Sequence, residues 1–172
     1  MKTHTRVVVI GGGVVGCSVL YHLTKLGWSD VMLVERSELT SGSTWHAAGG
    51  FHTLNGDTNM AALQGYTIRL YKELEEITGM SCGLHHVGGI TLADNAARFE
   101  QLKAERAKHR YMGLDTEILG PEEIKKFTHG MVNLEGIVGA LYDPYDGDID
   151  PAQLTQALAK GARQMGARIE RF

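Results

Sequence analysis

The chain has 172 residues and a formal net charge of −3, with 17 Lys plus Arg against 20 Asp plus Glu, a balance that leaves no electrostatic footprint for nucleic acid. Glycine is in excess, 22 residues or about 13% against an average usage of roughly 7%. Only 3 residues are proline and 43% are hydrophobic, which excludes a collagen-like or linker-like chain and predicts a sizeable core. The glycines are therefore positional. The run Gly11, Gly12, Gly13, Gly16 and the later set Gly42, Gly49, Gly50 suggest backbone that must come close to a ligand.

Arg6 to Ile10 is apolar and β-branched, which predicts a strand buried on both faces. A basic start followed by an apolar run also suits a signal peptide. Glycines interrupt the run, however, and neither an A-x-A-like site nor about 18 uninterrupted apolar residues follows, so neither a secretory nor a membrane-spanning segment is expected. From Val14 to Leu26, Val15, Val19, Leu23 and Leu26 recur at helical spacing, and Gly27 closes the segment. A second buried strand, Val31 to Glu35, completes a βαβ unit with parallel strands. After a Ser/Gly/Thr-rich loop from Ser37 to about Gly56, Asp57 or Thr58 caps a long helix to Thr78, with Tyr66, Leu70, Leu74 and Ile77 on one side. His86 to Ala93 reads as a strand, and Asp94 caps a helix from Asn95 to Met112 whose Phe99 and Leu102 face the core. Strand pieces at Thr116 to Leu119 and Ile137 to Tyr142 flank a turn at Pro121-Glu122-Glu123. Asp150 before Pro151 is an N-cap with a first-turn proline. Leu154, Leu158, Ala162 and Met165 make the stripe of the helix that follows, and Ala167 to Phe172 begins another strand. Three strands fall to the nucleotide-type sheet, against the five or six usual in such sheets, so the chain is expected to be the N-terminal fragment of a larger polypeptide.

Gly11-Gly12-Gly13-Val14-Val15-Gly16 matches G-x-G-x-x-G, with a strand before it, a helix after it and Glu35 at the end of the next strand. Gly11 permits the tight turn, Gly13 lets backbone approach a pyrophosphate, and Gly16 lets the helix pack on the strand. The helix N-terminus supplies free N–H groups and partial positive charge for phosphates. Glu35 would accept hydrogen bonds from ribose hydroxyls, and its charge disfavours a 2′-phosphate. The motif alone does not separate NAD from FAD. The next segment, in which Glu35-Arg36 runs into Ser37-Glu38-Leu39-Thr40-Ser41-Gly42-Ser43-Thr44-Trp45-His46-Ala47-Ala48-Gly49-Gly50, is too rich in small residues to be core. It can lay N–H and hydroxyl groups along a pyrophosphate and sugar chain while its glycines clear a flat ring.

SGSTWHAAG, preceded by VVVIGGGVVG and VERSEL, resembles the N-terminus of the dimethylglycine dehydrogenase and sarcosine dehydrogenase group, within the D-amino acid oxidase-like flavoproteins. The similarity continues through IRLYKELEEITG, GGITLA and GALYDPYDGDIDPAQLTQALAKGARQMGA. The resemblance implies an α/β fold, with an incomplete Rossmann-like FAD-binding βαβ sheet and part of an interleaved mixed-sheet substrate domain. Residues 1–80 and 144–172 would belong to the FAD domain and 83–143 to the substrate domain. In that group the histidine of Trp-His-Ala-Ala-Gly carries the flavin on its 8α-methyl carbon, which transfers here to His46. The implied companions are Val14 and Val15 in the first turn, Glu35 and Arg36 at the ribose, and Gly42, Ser43, Thr44, Trp45, Ala47, Ala48, Gly49 and Gly50 along the rest of the cofactor. Also implied are hydride transfer from an N-methylated amino acid to the flavin, delivery of electrons to an electron-transfer flavoprotein, and tetrahydrofolate bound by a domain beyond this chain.

Substrate and catalytic groups are expected beyond Phe172, so the 172 residues alone are expected to bind FAD weakly and to turn over nothing. An oxidase releasing hydrogen peroxide and a non-catalytic regulatory homologue of the same fold stay open, as does, more distantly, an NAD-dependent dehydrogenase. No metal site is expected. His85-His86 lies before a strand that would send the two side chains to opposite faces, and the aspartates of DPYDGDID lack the distal glutamate of a calcium loop, so they read as a turn leading into the Asp150 cap. Cys17 and Cys82 read as reduced thiols in a cytosol-like compartment, and without a transit peptide the expected location is cytoplasmic, or the mitochondrial matrix for a processed eukaryotic protein.

Overall fold

The computed structural model describes residues 4–53 and 57–172; residues 1–3 and 54–56, where the expected Ser/Gly/Thr-rich loop ends, lie outside that range. In chain order the elements are β1 (Val7–Ile10), α1 (Val14–Lys25), β2 (Val31–Glu35), a 3₁₀ turn at Ser43–His46, β3 (Gly50–Phe51), α2 (Thr58–Thr78) and β4 (Gly89–Ala93). There follow α3 (Ala96–Tyr111), β5 (Glu117–Leu119), α4 (Pro121–Phe127), β6 (Gly139–Asp143), β7 (Gly147–Asp148), α5 (Pro151–Gln164) and β8 (Arg168–Arg171). They form two compact units. The first takes the described residues of Met1–Gly50 with Tyr66–His85 and Asp148–Phe172, and the second takes those of Phe51–Gly65 with His86–Gly147.

The first unit is a parallel sheet of order β1-β2-β8, in which Val7 pairs with Val31 and Met32 with Arg168. Helices α1 and α5 pack on one another and against this sheet. The apolar stripe expected on α1 is not its buried face. Val15, Val19 and Leu26 are exposed, whereas Cys17, Leu20, Tyr21 and Thr24 are buried. Helix α5 decides this, because Gly161 brings its backbone so close to Tyr21 that an added Cβ would lie 2.8 Å from the ring. Strand β1 is likewise not buried on both faces. Val8 and Ile10 are exposed, since both helices lie on the side that covers Leu33. In α2, Leu70 and Leu74 are buried as expected, but Tyr66 and Ile77 are not, and Ile68 and Thr78 take their places. Helix α5 starts as its sequence dictates: Asp150 accepts from the N–H groups of Ala152 and Gln153 at 2.8 and 2.9 Å, and Leu154, Leu158 and Ala162 are buried.

The second unit is an antiparallel sheet of order β4-β6-β5, with Ile90 opposite Tyr142 and Ile118 opposite Leu141. One cluster joins Ala93, Leu102 and Leu141 with Phe99, and another joins Leu119, Ile124 and Ala140. Asn95, rather than Asp94, caps α3, its side chain accepting from the Arg98 N–H at 2.8 Å. The expected turn at Pro121 is the first turn of α4. Proline suits that position, and Glu123 reaches back to the Gly120 N–H at 2.7 Å. Among the described residues no helix is long and apolar enough to cross a membrane.

Candidate functional site

The glycine turn between β1 and α1 is set by backbone clearance. Gly11 adopts φ +105°, a left-handed value that glycine takes without cost, and donates its N–H to the Val34 carbonyl at 2.9 Å. A Cβ on Gly16 would stand 1.9 Å from the Gly11 carbonyl oxygen, so α1 can seat on the end of β1 only with glycine there. The turn delivers the α1 N-terminus, whose first N–H groups have no partner within the helix. One of them is used locally, Val14 N–H donating to Thr44 Oγ1 at 3.0 Å.

An open cavity of about 790 Å³ lies at this turn. Gly11, Gly13, Val14 and Val15 border it from the turn, Glu35 and Arg36 from the end of β2, and Gly42, Ser43, Thr44 and Ala47 from the loop. Its size is that of cavities that hold sizeable cofactors, within roughly 300–1,000 Å³. The Glu35 carboxylate accepts from the N–H of Gly12 at 2.6 Å and of Ser37 at 2.9 Å. Chiefly the bond from Gly12, joined by those from Ser37 and Arg36, holds its carboxyl below the ordinary value, so it stays an acceptor at neutral pH.

The remaining expected residues stand elsewhere around the same loop. Gly16 is beneath the turn. Trp45, 69% exposed, and Ala48 border a smaller cavity of about 400 Å³ with His85 and the start of α5. Gly49 has φ +81°, and a Cβ there would meet the Ile149 carbonyl oxygen at 2.1 Å; Gly50 has open space around it. His46 is exposed, and its Nδ1 lies 3.1 Å from the Gly42 carbonyl oxygen. Because a carbonyl only accepts, Nδ1 carries the proton in that bond, and in the neutral ring Nε2 is the nitrogen with the lone pair.

The family profile described as FAD dependent oxidoreductase (DAO) matches residues 6–171. The chain belongs to that family. It is 42% identical over 169 residues to mouse (Mus musculus) dimethylglycine dehydrogenase, mitochondrial, covering 98% of this chain and 19% of that protein. It is 40% identical over 170 residues to human (Homo sapiens) sarcosine dehydrogenase, mitochondrial, covering 98% and 18%. The crystal structure of L-proline dehydrogenase from P. horikoshii superposes with a TM-score of 0.89 at 26% identity, over 99% of this chain and 45% of that one. The chain thus spans about a fifth of the length of these two curated relatives. As a member of the family it has the DAO Rossmann-like α/β fold.

The residues present fit FAD. A turn that glycine alone can make, a helix N-terminus, a carboxylate at the end of β2 and a loop of hydroxyl-bearing residues border one cavity. Three residues of the hydroxyl-rich loop are not among the individual cofactor contacts expected from sequence: Ser37 and Ser41, which border this cavity, and Thr40 between them. The two serines fall between marked residues, and their place in the loop is the signal that could have found them. Thr40 gives none, because its importance lies in a backbone angle.

The second unit holds a group that the sequence presents as a plain turn. Asp143 and Asp146 are both buried. Asp143 accepts from Thr53 Oγ1 at 2.5 Å and from the Tyr145 N–H at 2.9 Å, while Asp146 accepts from His52 Nδ1 at 2.9 Å and the Thr53 N–H at 3.1 Å. Burial pushes the Asp143 carboxyl up to about 6 against the pull of its two donors, with Asp146 adding to the rise. The two thiols are inert by the same physics. Burial raises Cys17 and Cys82 to about 11, with Glu75 adding at Cys82.

Proposed function

We propose that the full-length protein is an FAD-dependent dehydrogenase that oxidatively demethylates a small N-methylated amino acid of the dimethylglycine or sarcosine type. The observation that carries this reading is the single cavity bordered by both the glycine turn and the loop that leads to His46. The two curated relatives, at 42% and 40% identity and named for those substrates, support the substrate class.

Bound FAD supplies the acceptor for a hydride from the N-methyl carbon. The chain's own residues hold and orient it. The N–H groups at the start of α1 would hold the pyrophosphate, the Glu35 carboxylate would accept from the ribose hydroxyls with Arg36 beside it, and the backbone of Gly42 to Gly50 would border the rest of the cofactor. His46 is the residue of covalent attachment. With Nδ1 at the Gly42 carbonyl, Nε2 is the ring nitrogen that would carry the flavin. The resemblance to this group further supports an electron-transfer flavoprotein as electron acceptor and tetrahydrofolate bound by a domain outside this chain.

Acid precipitation of the full-length protein, with flavin absorbance read in the pellet, tests the attachment. A yellow wild-type pellet and a colourless His46→Ala pellet are expected, and a colourless wild-type pellet refutes it. Anaerobic flavin reduction by dimethylglycine or sarcosine tests the substrate class. Hydrogen peroxide release that ignores an electron-transfer flavoprotein would make the protein an oxidase instead.

A further inference from the structure

We propose that Thr40 is a positioning residue whose left-handed backbone joins the glycine turn to the Ser43–His46 turn and so sets where Trp45 and His46 stand in the loop that borders the cavity. Thr40 has φ +75°. For an L residue that conformation crowds the side chain against the carbonyl, and a β-branched residue adopts it only as a genuine outlier. Such a residue persists where its surroundings over-determine it.

The surroundings do so here, all within the first unit. The Thr40 N–H donates to the Gly12 carbonyl at 3.0 Å, and the Thr40 carbonyl accepts from the Trp45 N–H at 3.1 Å. Leu39, which precedes it, is buried with its Cδ2 only 2.5 Å from where a Cβ on Gly12 would stand. Two residues beyond Gly12, the Val14 N–H donates to Thr44 Oγ1 at 3.0 Å. Residues 39–45 are therefore held to residues 12–14 at three points, and Thr40 makes the one that continues to Trp45. Thr40 is itself 9% exposed, so water does not readily replace its bonds. At a negative φ its N–H and carbonyl could not address Gly12 and Trp45 together.

Glycine would make this turn without strain, so strain is not needed to form it. The side chain itself opposes this φ, so the backbone bonds to Gly12 and Trp45, rather than the stiffness of the side chain, hold the conformation. Thr40 thus keeps the Trp45-His46 turn ordered before any cofactor arrives, which lowers the ordering cost of binding. The cofactor half of this inference rests on the FAD reading above. The ordering half does not.

The test compares wild type, Thr40→Gly, Thr40→Asn and Thr40→Pro in the full-length polypeptide, in a background in which every tryptophan except Trp45 is replaced by phenylalanine, so that Trp45 reports on the loop, and in which His46→Ala keeps FAD binding reversible. Three quantities are read: Trp45 fluorescence anisotropy without flavin, the Kd for FAD, and the urea midpoint. Thr40→Gly and Thr40→Asn, which take the left-handed region more readily than threonine, are expected to match or exceed wild type in anisotropy and in affinity for FAD. Thr40→Pro, whose ring fixes φ near −65° and removes the N–H that meets Gly12, is expected to lower the anisotropy and to raise the Kd about tenfold while its urea midpoint shifts little. Unchanged anisotropy in Thr40→Pro overturns the inference. So does a fall of its urea midpoint in step with the other two readouts, which marks a merely structural residue. Failure of wild type to bind FAD, with the anisotropy contrast intact, removes the FAD reading and leaves the ordering role standing.

Discussion

Alanine substitutions along the glycine series should separate according to what each added methyl meets. At Gly16 the Cβ would stand 1.9 Å from the Gly11 carbonyl oxygen, where real contacts keep at least 3.0 Å, so α1 must retreat from β1 by about 1 Å. The obstacle is backbone, which no rotamer change clears. Overpacking costs about 1–3 kcal/mol, and Gly16→Ala belongs at the top of that range, a large share of a marginal stability of about 5–15 kcal/mol. At Gly49 the Ile149 carbonyl oxygen at 2.1 Å and φ +81° act together, adding a left-handed penalty of about 1–2 kcal/mol to a similar clash. At Gly13 the nearest atom is Thr44 Oγ1 at 3.0 Å, a hydroxyl that can give by a few tenths of an ångström. At Gly50 nothing lies within 4 Å, and the effect should stay within about 0.5 kcal/mol.

Urea midpoints of the four variants in the full-length protein give the order Gly50→Ala, Gly13→Ala, Gly16→Ala, Gly49→Ala from mildest to most severe, with the last two close together. FAD titration adds a second reading. Displacing the α1 N-terminus pulls its N–H groups away from the phosphates, and each ~1.4 kcal/mol of binding free energy removed in this way lowers the FAD affinity of Gly16→Ala about tenfold. A Gly16→Ala protein as stable as Gly50→Ala, with wild-type affinity for FAD, would refute the argument from backbone clearance.

The first βαβ unit was legible because three independent signals agreed on it: a β-branched run, a glycine spacing and an acidic residue at the end of the next strand. The helix faces were harder to read. Val15, Val19 and Leu26 carry more apolar character than Cys17 and Thr24, yet the latter pair is buried, because the choice of face is made by α5, more than a hundred residues away. Pro121 reads as a turn when it starts a helix; proline alone marks both, and the Glu123 side chain that decides between them acts only once the chain has turned. The cavity loop announced itself by composition. Thr40 did not, since a threonine at φ +75° looks in sequence like any other threonine. Asp143 and Asp146 were hidden for a related reason. Four aspartates in eight residues look like a solvated turn until Thr53 and His52, about ninety residues earlier, supply their donors.

Two further outcomes follow from buried titratable groups. With both thiols raised to about 11, Cys17 and Cys82 should alkylate with iodoacetamide at pH 8 at least tenfold more slowly in the native protein than in urea; equal rates would show that the thiols are not shielded. For Asp143, the folded carboxyl titrates at about 6 against 3.8 for the free group, so between those values the folded state binds more protons than the unfolded one. Stability contributed by the protonated group is complete below about pH 4 and is lost as pH rises to 6, the reverse of an ordinary salt-bridged aspartate. Asp143→Asn, which cannot ionise, lacks this loss. The stability of wild type relative to Asp143→Asn should therefore fall by about 1–3 kcal/mol between pH 4 and pH 7, nearer the lower end the more of the burial penalty the bonds from Thr53 and Tyr145 offset. Urea midpoints of both proteins across that range measure the difference, and a difference that stays level or grows with pH would show that Asp143 is not held protonated by its surroundings.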